Sequence, residues 1–571
     1  MDIRRIILWF IFIFSLIMLW DAWQKYNSPR DMMPAAAVPS PSGVPAAPES
    51  APSPTVPTPS LPAETASTVA STAASAPAAS GEIIEIRTDL FIAQVSTQGG
   101  DLIGLELTNY KATEDSSRNF RLLDLKHRYV AQSGLIGENL PNHKTVFTAA
   151  PGGRELADGR DTVELRLEAP AAGAVRVTKT YTFRRGSYLI DVSHEIDNGG
   201  EKGIAAHAYY QLQRDTQPPE GQSSMVSTFT GPAEYTAQGK FQKIDFKDIE
   251  KGNAKFEKKA DNGWMAMIQH YFVSAWIPQE GLQREFYARS IEGGANPVVA
   301  AGLIVPVPAI APGARLNHAA SLYAGPQIQS ILGRLSKPVA EGGIGAEGLP
   351  LVVDYGWLTI VAAPIFWLLD VINKIIGNWG WSIVILTIII KALFFPLSAA
   401  SYKSMARMRA LAPQLQALKQ RCGDDKQKLN MEMMNLYKTE KINPLGGCLP
   451  IAIQIPVFIA LYWALLGAVE MRNAPWILWI HDLSAQDPYY ILPVVMMATM
   501  LIQTKLNPTP PDPIQAKITM IMPFAFGIMF FFFPAGLVLY WVVNNVLSIA
   551  QQWQITRMIE RGGKAANDPR A

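Results

Sequence analysis

The sequence predicts a multi-domain membrane protein that combines a polytopic α-helical core with an antiparallel β-sandwich domain. Three observations predict this class. Of 571 residues, 49% are apolar, which is high for a soluble chain of this length. Long apolar runs fill much of the last 220 residues, whereas residues 81–324 alternate apolar with polar side chains at a period of two.

Charge and motif content exclude several other classes. The net charge is +2, so bulk charge indicates neither a nucleic-acid partner nor an acidic one. The two cysteines, Cys422 and Cys448, make no disulfide framework and have no His or Cys neighbours at metal-ligand spacing. The sequence contains no GxSxG, HExxH, P-loop or GxGxxG context. We therefore predict that the protein is not an enzyme, has no cofactor, metal site or catalytic residue, and reads no specific nucleic-acid sequence.

The N-terminal region predicts a membrane anchor followed by a linker. Arg4 and Arg5 precede an apolar run over residues 6–20, and no small-residue cleavage site follows it. Residues 1–24 are therefore an uncleaved transmembrane anchor with its N-terminus in the cytoplasm. Residues 25–80 are rich in Pro, Ala and Ser and cannot bury enough apolar surface to fold, so they form a disordered tether.

Residues 81–340 are predicted to form the β-sandwich domain. Segments such as EIIEIRT, TVELRLEA, AVRVTKTYTF and SYLIDVSHEI alternate apolar with polar residues and are separated by glycine-containing turn signals. Many short strands at this spacing are typical of a large antiparallel sandwich. A helical pattern over residues 327–335 then leads to the membrane half.

The membrane half contains six apolar runs, whose topology is decided by positive charge. The runs are 357–376, 381–400, 450–469, 489–506, 518–533 and 535–555. If all six crossed the membrane, the basic segment 401–441 would lie outside the cytoplasm, against the positive-inside rule. The first run contains Pro364, Asp370 and Lys374, so residues 350–377 are predicted to be an amphipathic helix at the outer interface. Five spans in a core over residues 379–560, with the anchor, give six spans, both termini inside and a cytoplasmic tail over residues 561–571.

Lys391 is the strongest single-residue signal, because it lies ten positions into the apolar run 381–400. A lysine at the centre of a spanning helix costs about 2.5 to 3.5 kcal/mol on insertion scales, and such residues usually serve a function. Two readings stay open, a hydrated functional site and a side chain that only snorkels to the interface. Thr387 lies one turn earlier on the same helix face.

Other polar residues within the spans are candidates for the same site. They are Gln454, Asn544 and Asn545, and each is alternatively explained by an interhelical hydrogen bond. The spans contain no Asp or Glu that would pair with Lys391. This missing partner indicates an acidic group from another molecule.

Residues 401–441 are predicted to form a cytoplasmic helical hairpin with Gly423 between its halves. Its basic side chains either only set the topology or contact incoming chains, the ribosome or anionic lipid. The candidates are Lys403, Arg407, Arg409, Lys419 and Arg421.

Five long stretches cover most of residues 356–560. They are GNWGWSIVILTIIIKALFFPLS, YKSMARMRALAPQLQALK, GDDKQKLNMEMMNLYKTEKINPLGGCLPIAIQIPVFIALYW, WIHDLSAQDPYYILP and FPAGLVLYWVVNN. These stretches resemble the YidC membrane-protein insertase family, in its Gram-negative form with a large periplasmic domain. In the β-rich half, TDLFIAQVSTQGGDLIGLEL carries a weaker similarity.

The resemblance implies a periplasmic β-super-sandwich and a five-helix core in the bacterial inner membrane, enclosing a hydrophilic groove. Lys391 stands where the family usually has arginine. The lysine keeps the positive charge but lacks the planar guanidinium that can bind a carboxylate through two N–H groups. Thr387 and Gln454 match the family's groove threonine and glutamine. Trp541 stands at a usual tyrosine position, beside Tyr540. The predicted groove residues are Lys391, Thr387, Gln454, Asn544, Tyr540 and Trp541.

The predicted function is that of a membrane protein insertase and chaperone that acts on nascent membrane proteins, alone or with the Sec translocon and its accessory subunits. Its further partners are membrane lipids and the ribosome. The alternative is a secondary transporter of a small anionic solute bound at Lys391. The lack of two similar halves and of a carboxylate proton relay weighs against it. A third hypothesis is a carbohydrate-active periplasmic domain that the spans merely anchor.

Overall fold

The computed structural model describes residues 81–566 except 114, 116, 220–227, 295, 424, 441–448 and 508–512. The predicted anchor (1–24) and linker (25–80) lie outside the described residues, as do the last five residues of the predicted tail and Cys448. Within the described chain, a region of strands comes first and a region of helices follows.

Two nine-stranded antiparallel sheets form the β domain. In chain order the described strands are β1 Ile83–Arg87, β2 Phe91–Ser96, β3 Leu102–Lys111, β4 Asn119–Leu123, β5 Val130–Ile136, β6 Thr148–Ala149, β7 Thr162–Glu168, β8 Val175–Arg184, β9 Leu189–Asn198, β10 Ile204–Asp215, β11 Thr230–Thr236, β12 Lys240–Lys243, β13 Lys259–Ala260, β14 Trp264–Gln269, β15 Phe272–Pro278, β16 Arg284–Glu292, β17 Val298–Ile310 and β18 Arg315–Pro326. The first sheet runs β1-β2-β3-β5-β10-β17-β16-β13, with β4 paired to β3, and the second runs β12-β11-β14-β15-β18-β9-β8-β7-β6.

The period-two sequence explains how the two sheets make a core. On β7, Val163, Leu165 and Leu167 are buried, while the residues between them are exposed. Alternation of this kind sends every second side chain to one face of a sheet. The tryptophans Trp264 and Trp276, from neighbouring strands of the second sheet, are almost completely buried. The predicted antiparallel sandwich is confirmed.

The described helices are named here in chain order. They are α1 Phe246–Glu250, α2 Gln329–Leu335, α3 Thr359–Ile376, α4 Trp379–Leu393, α5 Phe395–Ala410, α6 Ala412–Cys422, α7 Lys426–Thr439, α8 Leu449–Gly467, α9 Ile491–Leu506, α10 Pro513–Phe530 and α11 Ala535–Ala566. The first two belong to the β domain, and α2 corresponds to the helical pattern predicted over 327–335. Helix α11 continues past the predicted end of the last apolar run, residue 555, into the predicted tail.

The run 381–400, predicted as one continuous helix, is broken. Helix α4 ends at Leu393, and α5 begins at Phe395 after a bend of 64°. Pro396 gives the physical reason, since proline has no N–H and its ring clashes with the carbonyl four residues earlier, that of Ala392. Lys391 therefore lies in the last turn of α4 and not at the centre of a long helix.

Helix α3, predicted to lie along the outer interface, is long and apolar enough to cross a membrane, and the bent pair α4–α5 passes the same test if it is counted as one span. Residues 454–467, 491–506 and 517–530 are shorter apolar helical stretches. Helix α3 has an apolar buried face and an exposed face that is apolar over most of its length and carries Lys374 in its last turn. The buried face carries Ala362, Phe366, Leu369 and Ile372, and the exposed face carries Ile360, Trp367 and Ile375. Its interfacial position and the six-span topology stay predictions.

Helices α6 and α7 form a helical hairpin around Gly423, which has the left-handed φ of 56° that glycine adopts without strain. Asp425 caps α7 by accepting from the backbone N–H groups of Gln427 and Lys428 at 3.1 and 3.0 Å. The hairpin has its own small apolar core. It consists of Leu411 and Tyr437, with Met408, Leu415 and Met433 packed against them.

Candidate functional site

Lys391 is buried, with 4% of its surface exposed, at the C-terminal end of α4. Its Nζ donates a hydrogen bond of 2.7 Å to Oγ of Ser548 on α11. The Ser548 hydroxyl in turn donates to the backbone carbonyl of Asn544, also at 2.7 Å. Carbonyl groups at a helix C-terminus carry partial negative charge, so this end of α4 favours a cation. The Ser548 hydroxyl therefore binds the ammonium, and the position of Lys391 in the last turn of α4 favours its charge.

An ammonium group has three N–H donors, and a hydroxyl satisfies one of them. Within the described ranges, no carboxylate lies within 4.0 Å of the Lys391 Nζ. A buried charge without an opposite charge beside it is costly, and an arriving anion would reduce that cost. Lys391 is thus a buried cation whose described partner is a neutral hydroxyl.

Thr387 and Tyr402 lie near this lysine along the chain. Thr387 is one turn earlier on α4, is 1% exposed, and donates to the Ile383 carbonyl at 2.7 Å. Tyr402 comes from α5, and its hydroxyl lies beside Ser548. The 64° bend at Pro396 changes the direction of the chain, and residues on both sides of the break contact α11.

Helix α11 carries a polar stripe that also reaches α9. Asn545 donates to Thr499 Oγ1 at 3.2 Å, and Gln552 donates to Leu506 O and Asn507 Oδ1, both at 3.2 Å. With Asn544 and Ser548, these residues recur at spacings of three and four, which places them on adjoining faces of one helix. Asn544 and Asn545 are predicted from the sequence, whereas Ser548 and Gln552 are not, although their helical spacing from the two asparagines indicates the same face.

Tyr540 and Trp541 lie in an aromatic cluster, about 10 Å along α11 from Ser548 at 1.5 Å per residue. The Trp541 ring contacts Phe458 edge-on, with centroids 4.4 Å apart, and lies 5.2 Å from Phe530. Tyr540 is 5% exposed and stacks on Phe458 at 6.1 Å. The cluster therefore joins α8, α10 and α11.

The structure brings together only part of the predicted groove. Lys391 and Asn544 both bond to Ser548, Thr387 lies one turn before Lys391 on α4, and Tyr540 and Trp541 lie in the aromatic cluster. Gln454 is half-buried on α8, one turn before Phe458. Among the described hydrogen bonds, none joins Gln454 to Lys391. A groove that contains all six residues stays a prediction.

The predicted hairpin contacts are exposed where the structure describes them. Lys403, Arg407 and Arg421 present their side chains to the surface of α5 and α6. The side chains of Arg409 and Lys419 lie outside the described part of the chain. A role in contacting a partner therefore stays a prediction for all five residues.

Removal of the Ser548 hydroxyl tests the contact with Lys391. We expect Ser548→Ala to lower the protein's activity about tenfold or more, because a hydrogen bond to a charged group contributes about 1.5 kcal/mol or more. Thr504→Ala is the matched control, since the Thr504 hydroxyl bonds to the Met500 carbonyl of its own helix at 2.9 Å. Comparable losses of activity in the two variants would contradict a special role for Ser548.

Large apolar side chains are exposed over the helical region. Met520, Ile521 and Ile528 on α10 are 65%, 63% and 63% exposed, and Leu393 at the end of α4 is 72% exposed. Exposed apolar surface of this extent indicates contact with lipid or with an apolar partner. The fold and site define an integral membrane protein with a large β-sandwich domain and a helical core that holds a buried cation.

Comparisons with known proteins identify the family. Residues 83–368 match the model of the YidC periplasmic domain, and residues 371–562 match that of the 60Kd inner membrane protein. The chain is 61% identical to the membrane protein insertase YidC of Dechloromonas aromatica over 100% of both chains. It is 56% identical to that of Aromatoleum aromaticum over 98% of each. The chain belongs to the YidC family, as the resemblance predicted, and is an inner membrane protein with a periplasmic domain.

Among solved structures, a crystal structure of an active YidC insertase covers 83% of this chain and 94% of its own. Its sequence identity is 18%, and its TM-score is 0.39.

Proposed function

We propose that this protein inserts nascent membrane proteins into the inner membrane and assists their folding, alone or with the Sec translocon. Relatives that match it over their full length are named membrane protein insertases. The observation that carries the proposal is Lys391, a buried cation whose described partner is a hydroxyl. The lysine lies in a helix bundle that also exposes large apolar side chains. One protein thus offers a site for an acidic tail and a surface for an apolar segment.

The positive charge of Lys391 would attract the short polar tail that flanks the substrate's apolar segment. A short acidic tail enters a wet groove and is drawn to Lys391, where the attraction between opposite charges is about 4 kcal/mol at 4 Å and an effective dielectric constant of 20. The groove combines this charge with polar groups of Thr387, Gln454 and Asn544, and Tyr540 and Trp541 contribute its aromatic wall. The polar tail then crosses less hydrocarbon than it would in an undisturbed bilayer.

The apolar segment would follow the exposed side chains of α10 and leave sideways into lipid. Burial of apolar surface contributes roughly 25 cal/mol per Å², and the membrane potential contributes about 2.3 kcal/mol per charge per 100 mV. The burial of apolar surface and the membrane potential together drive insertion without ATP. Flexible methionine side chains such as Met520 suit substrates of varied sequence.

Both termini and the α6–α7 hairpin lie in the cytoplasm in this proposal. The exposed basic residues Lys403, Arg407 and Arg421 then face the side from which nascent chains arrive. Their charge suits anionic lipid headgroups and the ribosome surface.

Reconstitution separates an insertase from a transporter of small anions. Purified protein in vesicles should protect a newly made single-span substrate from added protease, while vesicles without the protein should not. Photocrosslinking probes at Thr387, Gln454 and Trp541 should join the substrate's tail to the protein during insertion. Saturable uptake of a small anion without insertion or crosslinking would overturn the proposal in favour of the transporter.

A further inference from the structure

Arg472 lies in the connection between α8 and α9 and reaches into the β domain. Its Nη2 donates to the Lys111 carbonyl at 2.5 Å and to Thr113 Oγ1 at 3.2 Å. The guanidinium carbon also lies close to three aromatic rings, here called the Arg472 cage. These are Phe120, Tyr271 and Phe272, with centroids at 5.1, 5.8 and 5.5 Å.

The Arg472 cage is well built for a guanidinium. Phe120 and Phe272 stack with centroids 4.2 Å apart, and Tyr271 meets Phe272 edge-on at 6.5 Å, so the rings support one another. Arginine presents a flat cation that stacks on ring faces while its N–H groups bind oxygens in the same plane. Lysine has no such plane, so it would fill this site only in part.

Two more contacts join the β domain to the end of α8 and to the connection that follows it. The His270 imidazole pairs with the Leu466 carbonyl at 3.1 Å. Burial lowers the pKa of His270 to about 4, so the ring is neutral and Nε2–H donates. The Glu470 carboxyl accepts from the backbone N–H of Gln329, the first residue of α2. Residues 466–472 therefore contact the β domain at three separate points.

Backbone hydrogen bonds also join the connection between α8 and α9 to the N-terminal end of α11. The Leu483 N–H donates to the Ala474 carbonyl at 3.0 Å, and the Gly536 N–H donates to the Leu483 carbonyl at 2.9 Å. A further bond of 2.7 Å runs from the Ala535 N–H to the Ala485 carbonyl. Backbone bonds are short and directional, so they hold the first turn of α11 against the connection that carries Arg472.

We infer that Arg472 is a positioning residue that locks the β domain to the helical core and braces the ends of α8 and α11 that lie nearest that domain. The cage belongs to strands β4 and β15 and the residue before β15, whereas the arginine belongs to the core. The contact therefore crosses between the two folds. It goes beyond insertion of a substrate, because it concerns how the two parts of this chain are held together.

Distance measurements in the full-length protein test this inference. Spin labels are attached at Glu168→Cys, an exposed position of β7, and at Ala485→Cys, in the loop before α9, with Cys422 and Cys448 replaced by serine. We expect a narrow distance distribution in the parent protein. Arg472→Ala should broaden it, because loss of a desolvated cation–π contact shifts the ratio of docked to undocked domain by about tenfold or more.

Three further variants make the outcome decisive. Arg472→Lys should partly restore the narrow distribution, because it keeps the charge. Phe120→Leu removes a ring of the Arg472 cage from the β domain and should broaden the distance distribution without any change in the helical core. Arg315→Ala, which breaks an ion pair with Asp197 inside the β domain, should leave it unchanged. An unchanged distribution in both Arg472→Ala and Phe120→Leu would overturn the inference, as would equal broadening by Arg315→Ala.

Discussion

Replacement of Lys391 by alanine should cut insertion of a single-span, acidic-tailed substrate by at least about tenfold, since an attraction of 1.4 kcal/mol already corresponds to a factor of ten. Lys391→Arg should keep most of the activity, because the charge that attracts the tail is preserved. Growth of cells depleted of their own insertase, together with protease protection of the substrate, measures both variants.

Lys374→Ala is the control for this experiment. Lys374 is exposed on α3 and pairs with Asp370 at 2.7 Å, so its loss removes a positive charge from a different helix and not from the Lys391 site. Exposed pairs of this kind contribute little to stability. Full activity of Lys391→Ala, at the level of Lys391→Arg and of the control, would show that the charge is not needed.

Asp487→Ala should have the largest effect on stability. The Asp487 carboxylate is 1% exposed and accepts from Trp479 Nε1 at 3.0 Å, from the Tyr489 N–H at 3.0 Å and from the Leu492 N–H at 2.7 Å. Leu492 lies in the first turn of α9, whose N-cap residue makes no side-chain cap bond. We expect a loss of about 3 to 5 kcal/mol in the free energy of unfolding, because each donor left buried without a partner costs about 1 to 3 kcal/mol.

Asp482→Ala is the matched control in the same loop. The Asp482 carboxylate is less buried, accepts hydrogen bonds from the backbone N–H and hydroxyl of Ser484, and also interacts electrostatically with Arg472. Asp487→Asn keeps one acceptor oxygen and should lie between the two. Unfolding of purified protein in detergent gives the order of the three variants. A free energy of unfolding for Asp487→Ala within about 1 kcal/mol of that for Asp482→Ala would contradict the assigned role.

The β domain could be predicted in its strands but not in its sheet order. The alternating segment at 162–169 predicts a strand, and β7 occupies Thr162–Glu168. By contrast, β10 pairs with both β5 and β17, which are far from it along the chain. Periodicity shows which face of a strand is buried, whereas the choice of neighbour depends on how the whole core packs.

The site could be predicted where a residue broke a strong local pattern. Lys391 interrupts an apolar run at a high cost in hydrocarbon, so its type and position marked it. Ser548 did not stand out, because serine is common in membrane helices and its bond to Lys391 exists only once α11 packs beside α4. Pro396 indicates the break before α5, but the apolar run 381–400 is long enough for one spanning helix and therefore predicts no break. Arg472 gave no signal, since its cage is assembled from the β domain more than 190 residues away.

A double-mutant cycle between protein and substrate tests the charge model most directly. Insertion is measured in vesicles for the parent protein and Lys391→Ala, each with a substrate whose tail carries aspartates or the matching asparagines. If Lys391 attracts the tail, neutralising the tail should slow insertion by the parent protein at least about tenfold and have little further effect in Lys391→Ala. If neutralising the tail slows both proteins by the same factor, the two charges do not interact and the account of Lys391 as the receiver of an acidic tail is wrong.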